Sequence, residues 1–412
     1  EVRNFSDAAV KNASGGTVEV ASTAFTNNGT TDIINEGTLN LTSDNVKFQK
    51  GVTGAGTTNV VGAKVTLEDG ASIAQALNIE SGSLTSSADG IAGAVENNAN
   101  NGLVLNKGTL SQSITGSGST KIAGNVINSS TIAQAVNITS GSLTTSADGL
   151  GGAVDNDGTL NLNGGTLAQA VSGNGSTVIN GDVTANSAIS QAITVNTNKS
   201  LTASANNIGG TVTNAGTLTL NGGTLAQTVT GSGSTKIAGN VENSSTIAQT
   251  VNIESGSLTT SADGLGGAVT NAGTLTLNGG TLARTVTGSG STKIVGNVEN
   301  NALIRQDLTI ANTGNLTSNL ANITGTVTNE GTFNLSDNLT KDILGDGTTL
   351  LQNNITLADN RAIEGTLNLN SQTVDMGNEP AIYNTLTVGN LTGNGNLKID
   401  VDFTNNSGKA AA

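Results

Sequence analysis

Three groups of residues in this chain have the types and spacing that chemistry uses. The first is Thr-Gly-Ser-Gly-Ser-Thr-Lys-Ile-Ala-Gly-Asn-Val at 115–126. It returns letter for letter at 230–241, and at 287–298 with Val295 in place of Ala238. Glycine-rich loops of this kind cradle phosphates, but a P-loop needs Gly-x4-Gly-Lys-Ser/Thr between a strand and a helix. Here Lys236 follows Thr235 rather than glycine, and no helical pattern follows. The dinucleotide fingerprint fails as well, lacking its third glycine, its helix and a basic partner. Repetition favours a corner followed by a strand. That reading points Lys121, Lys236 and Lys293 outward and Ile122, Ile237 and Ile294 into a core.

The second group is acidic. Asp89, Asp148 and Asp263 lie in Ser-Ala-Asp-Gly runs, and carboxylates on such a scaffold can serve a glycosidase or a polysaccharide lyase. Those reactions need carboxyl groups with separated pKa values and a cleft for sugar. A catalytic centre is a unique spot, whereas every carboxylate here has a copy. Asp-Gly turns are the expected role. The third group is threonine. Thr217-Leu218-Thr219 and Thr274-Leu275-Thr276 are of the type that binds ice, but the equivalent earlier run is Thr159-Leu160-Asn161, so no flat lattice is built. The Gly-Gly-x-Gly-x-Asp run of calcium β-rolls is not reproduced. Asn-x-Ser/Thr triplets such as Asn28-Gly29-Thr30 and Asn243-Ser244-Ser245 arise by chance in a chain so rich in these residues. The chain is therefore expected not to be an enzyme. No catalytic, cofactor or metal residues are expected, and no ligand-binding residue is located.

Composition narrows the class further. The 412 residues include 56 Gly but five Phe, one Tyr, no Trp, one Pro, no Cys and no His. A compact core of this size would use aromatics to fill its volume, so a narrow interior of small and aliphatic side chains is expected. Sixteen basic against 30 acidic residues give a net charge of −14. That excludes nucleic acid as a partner, because phosphate binding needs clustered cations. It also disfavours anionic membrane surfaces. Lack of cysteine fits export as an unfolded bacterial chain better than a disulfide scaffold. No run of 18 apolar residues offers a membrane span. The start at Glu1, without Met or a signal peptide, reads as a mature or trimmed chain.

What positions all these groups is an internal repeat. The unit beginning Gly-Thr-Leu at Gly108 recurs from Gly165, Gly223 and Gly280, at steps of 57, 58 and 57 residues. Within it, "GTLTLNGG" at 216–223 alternates apolar and polar residues as a half-buried strand does. Asn-Gly, Gly-Gly, Ser-Gly and Asp-Gly corners follow. Leu218, Ile237, Leu258 and Leu275 form one expected ladder of strand centres, and Val229, Val251, Val269 and Val286 another. "TLAQTV" at 224–229 and "TIAQTV" at 246–251 then read as one strand a coil apart. The architecture expected is a single all-β parallel β-solenoid with about 19 residues per coil and three coils per 57-residue super-repeat. Stacked at about 4.8 Å, roughly 20 coils would make a rod on the order of 100 Å long. The expected divisions are irregular or capping coils at 1–50, the repetitive solenoid at 51–382 and a distinct end at 383–412. Phe5, Phe25 and Phe48 lie early, and Phe333, Tyr383 and Phe403 late, which marks the ends as the irregular parts.

The end carries a resemblance. "YNTLTVGNLTGNGNLKIDVDFTNNSGKA" at 383–410 resembles the close of the passenger region in Gram-negative autotransporters, the pertactin-like and adhesin type. The matching positions are Leu386, Val388, Gly389, Asn390, Leu391, Thr392, Gly393, Asn394, Gly395, Leu397, Ile399, Asp402 and Phe403. The match is specific over this stretch alone, and "NAGTLTLNGGT" at 214–224 shares the passenger style. The resemblance implies a right-handed β-helix at or released from the bacterial surface, serving adhesion or aggregation. It implies no catalytic residues here. Implied partners are a host surface protein, a host glycan or a second copy of the chain. Nucleic acid and direct membrane insertion of this segment are not expected. The chain stops at "SGKAAA", so the membrane-tethering β-barrel belongs to a longer precursor, or the chain belongs to another secretion type. The alternative functions are a polysaccharide lyase or hydrolase on a β-helix scaffold, and a passive stalk presenting another module.

Overall fold

The computed structural model describes residues 4–5, 10–22, 24–377 and 384–399, with only the backbone course given at 4–5. The chain divides into two compact units, residues 1–216 and 217–412. Each is a parallel β-solenoid. The all-β reading holds: short strands pair parallel with the strand about one coil later, and the only helices among the described residues are three-residue 3₁₀ turns such as Ala262–Gly264. Tyr383, Asp402, Phe403 and the side chain of Phe5 lie outside the described residues.

The strands form for the reason the alternation suggests. In Thr274–Leu277 the two leucines are fully buried while Thr274 and Thr276 remain partly exposed. Stacking pairs the backbone of each coil with the next and closes the aliphatic row against water. Phe25, Phe48 and Phe333 are also interior rungs, the first two meeting edge-on with ring centroids 6.0 Å apart.

The registry shows three ladders rather than the two expected. In residues 217–412 the first runs Leu218, Thr235, Val251, Val269, Val286 and on through Ile304 and Ile323. The second runs Val241, Leu258, Leu275, Thr292, Leu308 and Val327. The third includes Val298, Leu316, Phe333, Thr349 and Leu367. Each coil thus contributes one short strand or bridge to each of three faces. The ladders expected from spacing are corrected by these pairs. Ile237 stacks on Leu220 and Ile253, not on Leu218 and Leu258. Val229 bridges Ile247, so "TLAQTV" and "TIAQTV" are not one strand a coil apart. Of the expected rows, Val251, Val269 and Val286 hold, and so does the step from Leu258 to Leu275. The confusion has a physical source: the chain turns a corner every five or six residues, and all three faces accept the same aliphatic side chains.

Coil length follows from the same pairs. Early coils take Val65 to Leu84 and Leu84 to Leu103, a step of nineteen each time. In the repetitive region three coils take Val241 to Leu258, Leu275 and Thr292, a step of seventeen each time. A 57-residue unit therefore spans three such coils plus six residues, which is one further strand. Successive copies of the Thr-Leu-x-Leu strand consequently occupy different faces. Leu218 lies in the first ladder, Leu275 in the second and Phe333 in the third. Within residues 1–216, Leu103 and Leu160 likewise lie in different ladders, Leu103 stacking on Thr120 and Leu160 on Thr177.

Each copy also buries one polar cluster. Thr292 Oγ1 and Asn271 Nδ2 both donate to Gln306 Oε1, at 2.9 and 2.8 Å, and Gln306 Nε2 donates to the carbonyls of Asn271, Thr287 and Gly288. Asn271 Oδ1 accepts from Gly273 N, closing the corner. Asn156, Thr177 and Gln191 repeat the set. So do Asn97, Thr120 and Gln134, when the Gln134 amide oxygen faces Asn97 Nδ2 and Thr120 Oγ1. The glutamine stands two residues before the rung that stacks on the threonine. At the last copy that place is Gly365, ahead of Leu367. Asn329 Nδ2 and Thr349 Oγ1 are accordingly left buried without a partner.

Candidate functional site

The glycine-rich element is a corner. Gly288 has φ +111°, and a Cβ there would come within 2.3 Å of the Asn271 carbonyl oxygen in the coil beneath. Glycine is thus required both by conformation and by close approach. Strand Ser291–Ile294 follows, with Ile294 inward and Lys293 exposed. Ile122 and Ile237 are fully buried in the same way. Lys236 pairs with Glu254 across one coil at 2.9 Å. The glycines of the element are therefore required by the turn, and its lysine stands at the surface, where Lys236 forms an ion pair.

The Asp-Gly residues form turns that brace the next coil. Asp148 Oδ1 accepts from Thr166 N at 2.9 Å, Asp89 Oδ1 from Thr109 N at 3.0 Å and Asp263 Oδ1 from Thr281 N at 3.0 Å. Each carboxylate serves a backbone donor one coil on. Asp263→Ala should therefore cost about 0.5–1.5 kcal/mol of stability and Asp263→Asn less. Urea titration checks this, and an Asp263→Ala protein as stable as the parent would remove the bracing role. Among the described residues, no group of three or more acidic side chains is placed to hold a metal ion.

The threonine rows are broken by other residues. Thr219 stacks beside Lys236, and Thr276 lies between Thr259 and Lys293. Of the two Asn-x-Ser/Thr examples, Asn243 is buried, donating to Ser245 O and Thr260 Oγ1 at 2.9 and 3.0 Å. Asn28 is exposed.

What the folded chain does present is a set of outward polar rows with a shallow groove. At Gly280 the missing side chain opens a groove of about 290 Å³, flanked by Thr281, Asn297, Glu299, Asn315 and Thr317. Asn297 and Glu299 are exposed, and Thr281, Asn315 and Thr317 half-buried. Hydroxyls, carboxamides and one carboxylate supply both donors and acceptors, with neither an aromatic platform nor a nucleophile paired to a base among them. Such a surface can make many weak hydrogen bonds. The frame recurs one copy earlier as Gly223, Thr224, Asn240, Glu242, Ser257 and Thr259, where Ser257 Oγ donates to Asn240 Oδ1 at 3.1 Å. It occurs again at Gly165 and Thr166, where Ser200 Oγ donates to Asp182 Oδ1 at 2.8 Å. This groove was not legible in the sequence. Gly-Thr-Leu marks the start of every copy, but which outer residues flank it depends on pairing with the next two coils.

The stretch that resembles a passenger end continues the stack. Leu386–Thr392 pairs with Arg361–Asn368, and Asn396–Lys398 with Thr373–Asp375. Lys398 Nζ donates to Asp375 at 2.8 Å and, with the Gly377 backbone N–H, holds that carboxyl below its ordinary pKa. Among the described residues nothing covers Leu391, Leu397 and Ile399. No helix of the described residues is long and apolar enough to cross a membrane. Compared with known proteins, the chain matches no family model, no curated protein and no solved structure.

Proposed function

We propose that this chain is a bacterial surface-displayed or secreted adhesive solenoid that attaches to host glycans or proteins, or to another copy of itself, through repeated polar outer surfaces. The observation that carries the reading is the recurrence of the Gly-Thr groove frame, copy after copy, on a scaffold whose interior is fully committed to stacking. Repeated weak sites gain strength by avidity, because each contact after the first is made at a high effective concentration. The terminal resemblance supports display at the cell surface by a longer precursor. Net charge of −14 argues against nucleic acid as the target. The duplicated carboxylates, engaged with backbone donors, favour binding over catalysis.

The test displays the full chain on beads and measures adhesion to epithelial cells and to a glycan array. The parent should adhere. Glu299→Ala/Asn315→Ala/Thr317→Ala should reduce bead retention by about half or less, since other copies remain. Release of unsaturated or reducing sugar from a polysaccharide panel, or no adhesion to any surface, would sink the proposal.

A further inference from the structure

We infer that the 57-residue unit, and not the coil, is the module by which this protein changes length, and that each copy turns the surface beyond it onto the next face. Registry alone carries this, whatever the protein binds. In the repetitive region every rung stacks on one about a coil away, as Thr292 on Leu308 and Val298 on Leu316. Removal of one 57-residue unit therefore replaces each stacking partner by its sequence equivalent. Take residues 240–296, which join Gly239 to Asn297 when removed. The segment now beneath the cut, 223–239, differs from the deleted 280–296 at two positions, Gln227 for Arg284 and Ala238 for Val295. None of those four side chains is buried. Val298 then stacks on Gly223 as it had on Gly280, and Gln306 reaches Thr235 as it had Thr292.

The unit is ten strands or bridges long, and the coil has three faces. Each deletion or addition therefore preserves local contacts while shifting the following chain by one face. Within residues 217–412 the groove frames at Gly223 and Gly280 therefore lie on neighbouring faces, and copy number sets valency around the axis as well as along it. Removal of a single coil behaves differently. Deletion of residues 240–256 takes away Gln249, which accepts from Thr235 Oγ1, and brings Gly266 to its place.

The absence of cysteine makes a crosslinking test clean. In the parent, Thr309 is stacked on Lys293, so Lys293→Cys/Thr309→Cys should form a disulfide under copper-phenanthroline oxidation. Neighbouring strands at about 4.8 Å fall within disulfide reach. Lys236 lies on another face, four coils and on the order of 19 Å below Thr309, so Lys236→Cys/Thr309→Cys should not crosslink in the parent. In the protein lacking 240–296 the same pair should crosslink, with a circular-dichroism melting midpoint within about 5 °C of the parent. The protein lacking 240–256 should melt lower than both. An unfolded 240–296 deletion, or a folded one in which the two introduced thiols stay reduced, overturns the inference.

Discussion

Ile294→Asp is expected to open the coils around it, while Lys293→Asp one residue earlier leaves the melting transition almost unmoved. Ile294 is fully buried between Leu277 below and Ile310 above. Its replacement forfeits about 2–3 kcal/mol of apolar burial and places a carboxyl where no cation or donor awaits it. That group must stay protonated or drag water into the ladder, at a cost of several kcal/mol more. Lys293 is exposed on the other side of the same strand, where a surface charge change is worth about 0.5 kcal/mol or less. Because coils contact only their neighbours, the damage should be local. Limited proteolysis should cut the Ile294→Asp protein between roughly residues 277 and 310, sparing residues 1–216. Equal damage from both substitutions would contradict the inward-outward assignment on which every face depends.

The second large effect lies in the buried polar clusters. Gln306→Leu keeps the bulk but removes the acceptor of Thr292 Oγ1 and one of the acceptors of Asn271 Nδ2, which retains Ser291 O at 2.9 Å. It also removes the donor to three corner carbonyls. Buried groups left unpaired cost about 1–3 kcal/mol each, less where a second partner remains, so a total of about 3 kcal/mol is expected by urea titration. Removing the hydroxyl as well should recover part of that loss. The double variant Thr292→Val/Gln306→Leu should be more stable than Gln306→Leu alone, giving a coupling of about 1 kcal/mol in the cycle. A Gln306→Leu protein as stable as its parent would show that water, not the amide, satisfies this interior. The natural chain already holds the deficient arrangement at its last copy, where Gly365 leaves Thr349 Oγ1 and Asn329 Nδ2 unpaired. The coils around Thr349 should therefore exchange their amides faster than those around Thr292.

Much of this is legible in the sequence alone. Alternation in "TLTL", the Asp-Gly turns and the recurrence of "TGSGSTKI" placed Ile237 inside, Lys236 outside and Asp263 in a turn. Those are statements about a residue and its near neighbours along the chain, where the period of a strand and the φ preferences of glycine act. The buried Asn, Thr and Gln clusters were not legible, because their members stand 14 and 35 residues apart and read individually as surface polar residues.

The sequence by itself determined that the chain is a parallel all-β solenoid of glycine-cornered strands, since composition and a 57-residue repeat leave no other way to bury so narrow an apolar set. The tertiary structure alone decided which strand lies on which. Each strand of five or six residues with its corner looks much like its neighbours, so spacing cannot tell a coil of nineteen from one of seventeen. That small difference, accumulated over three coils, moves each repeat by one face. Leu218 and Leu275, alike in their surroundings along the chain, therefore enter the core from different faces. Backbone pairing across coils fixed this, and with it where the grooves lie.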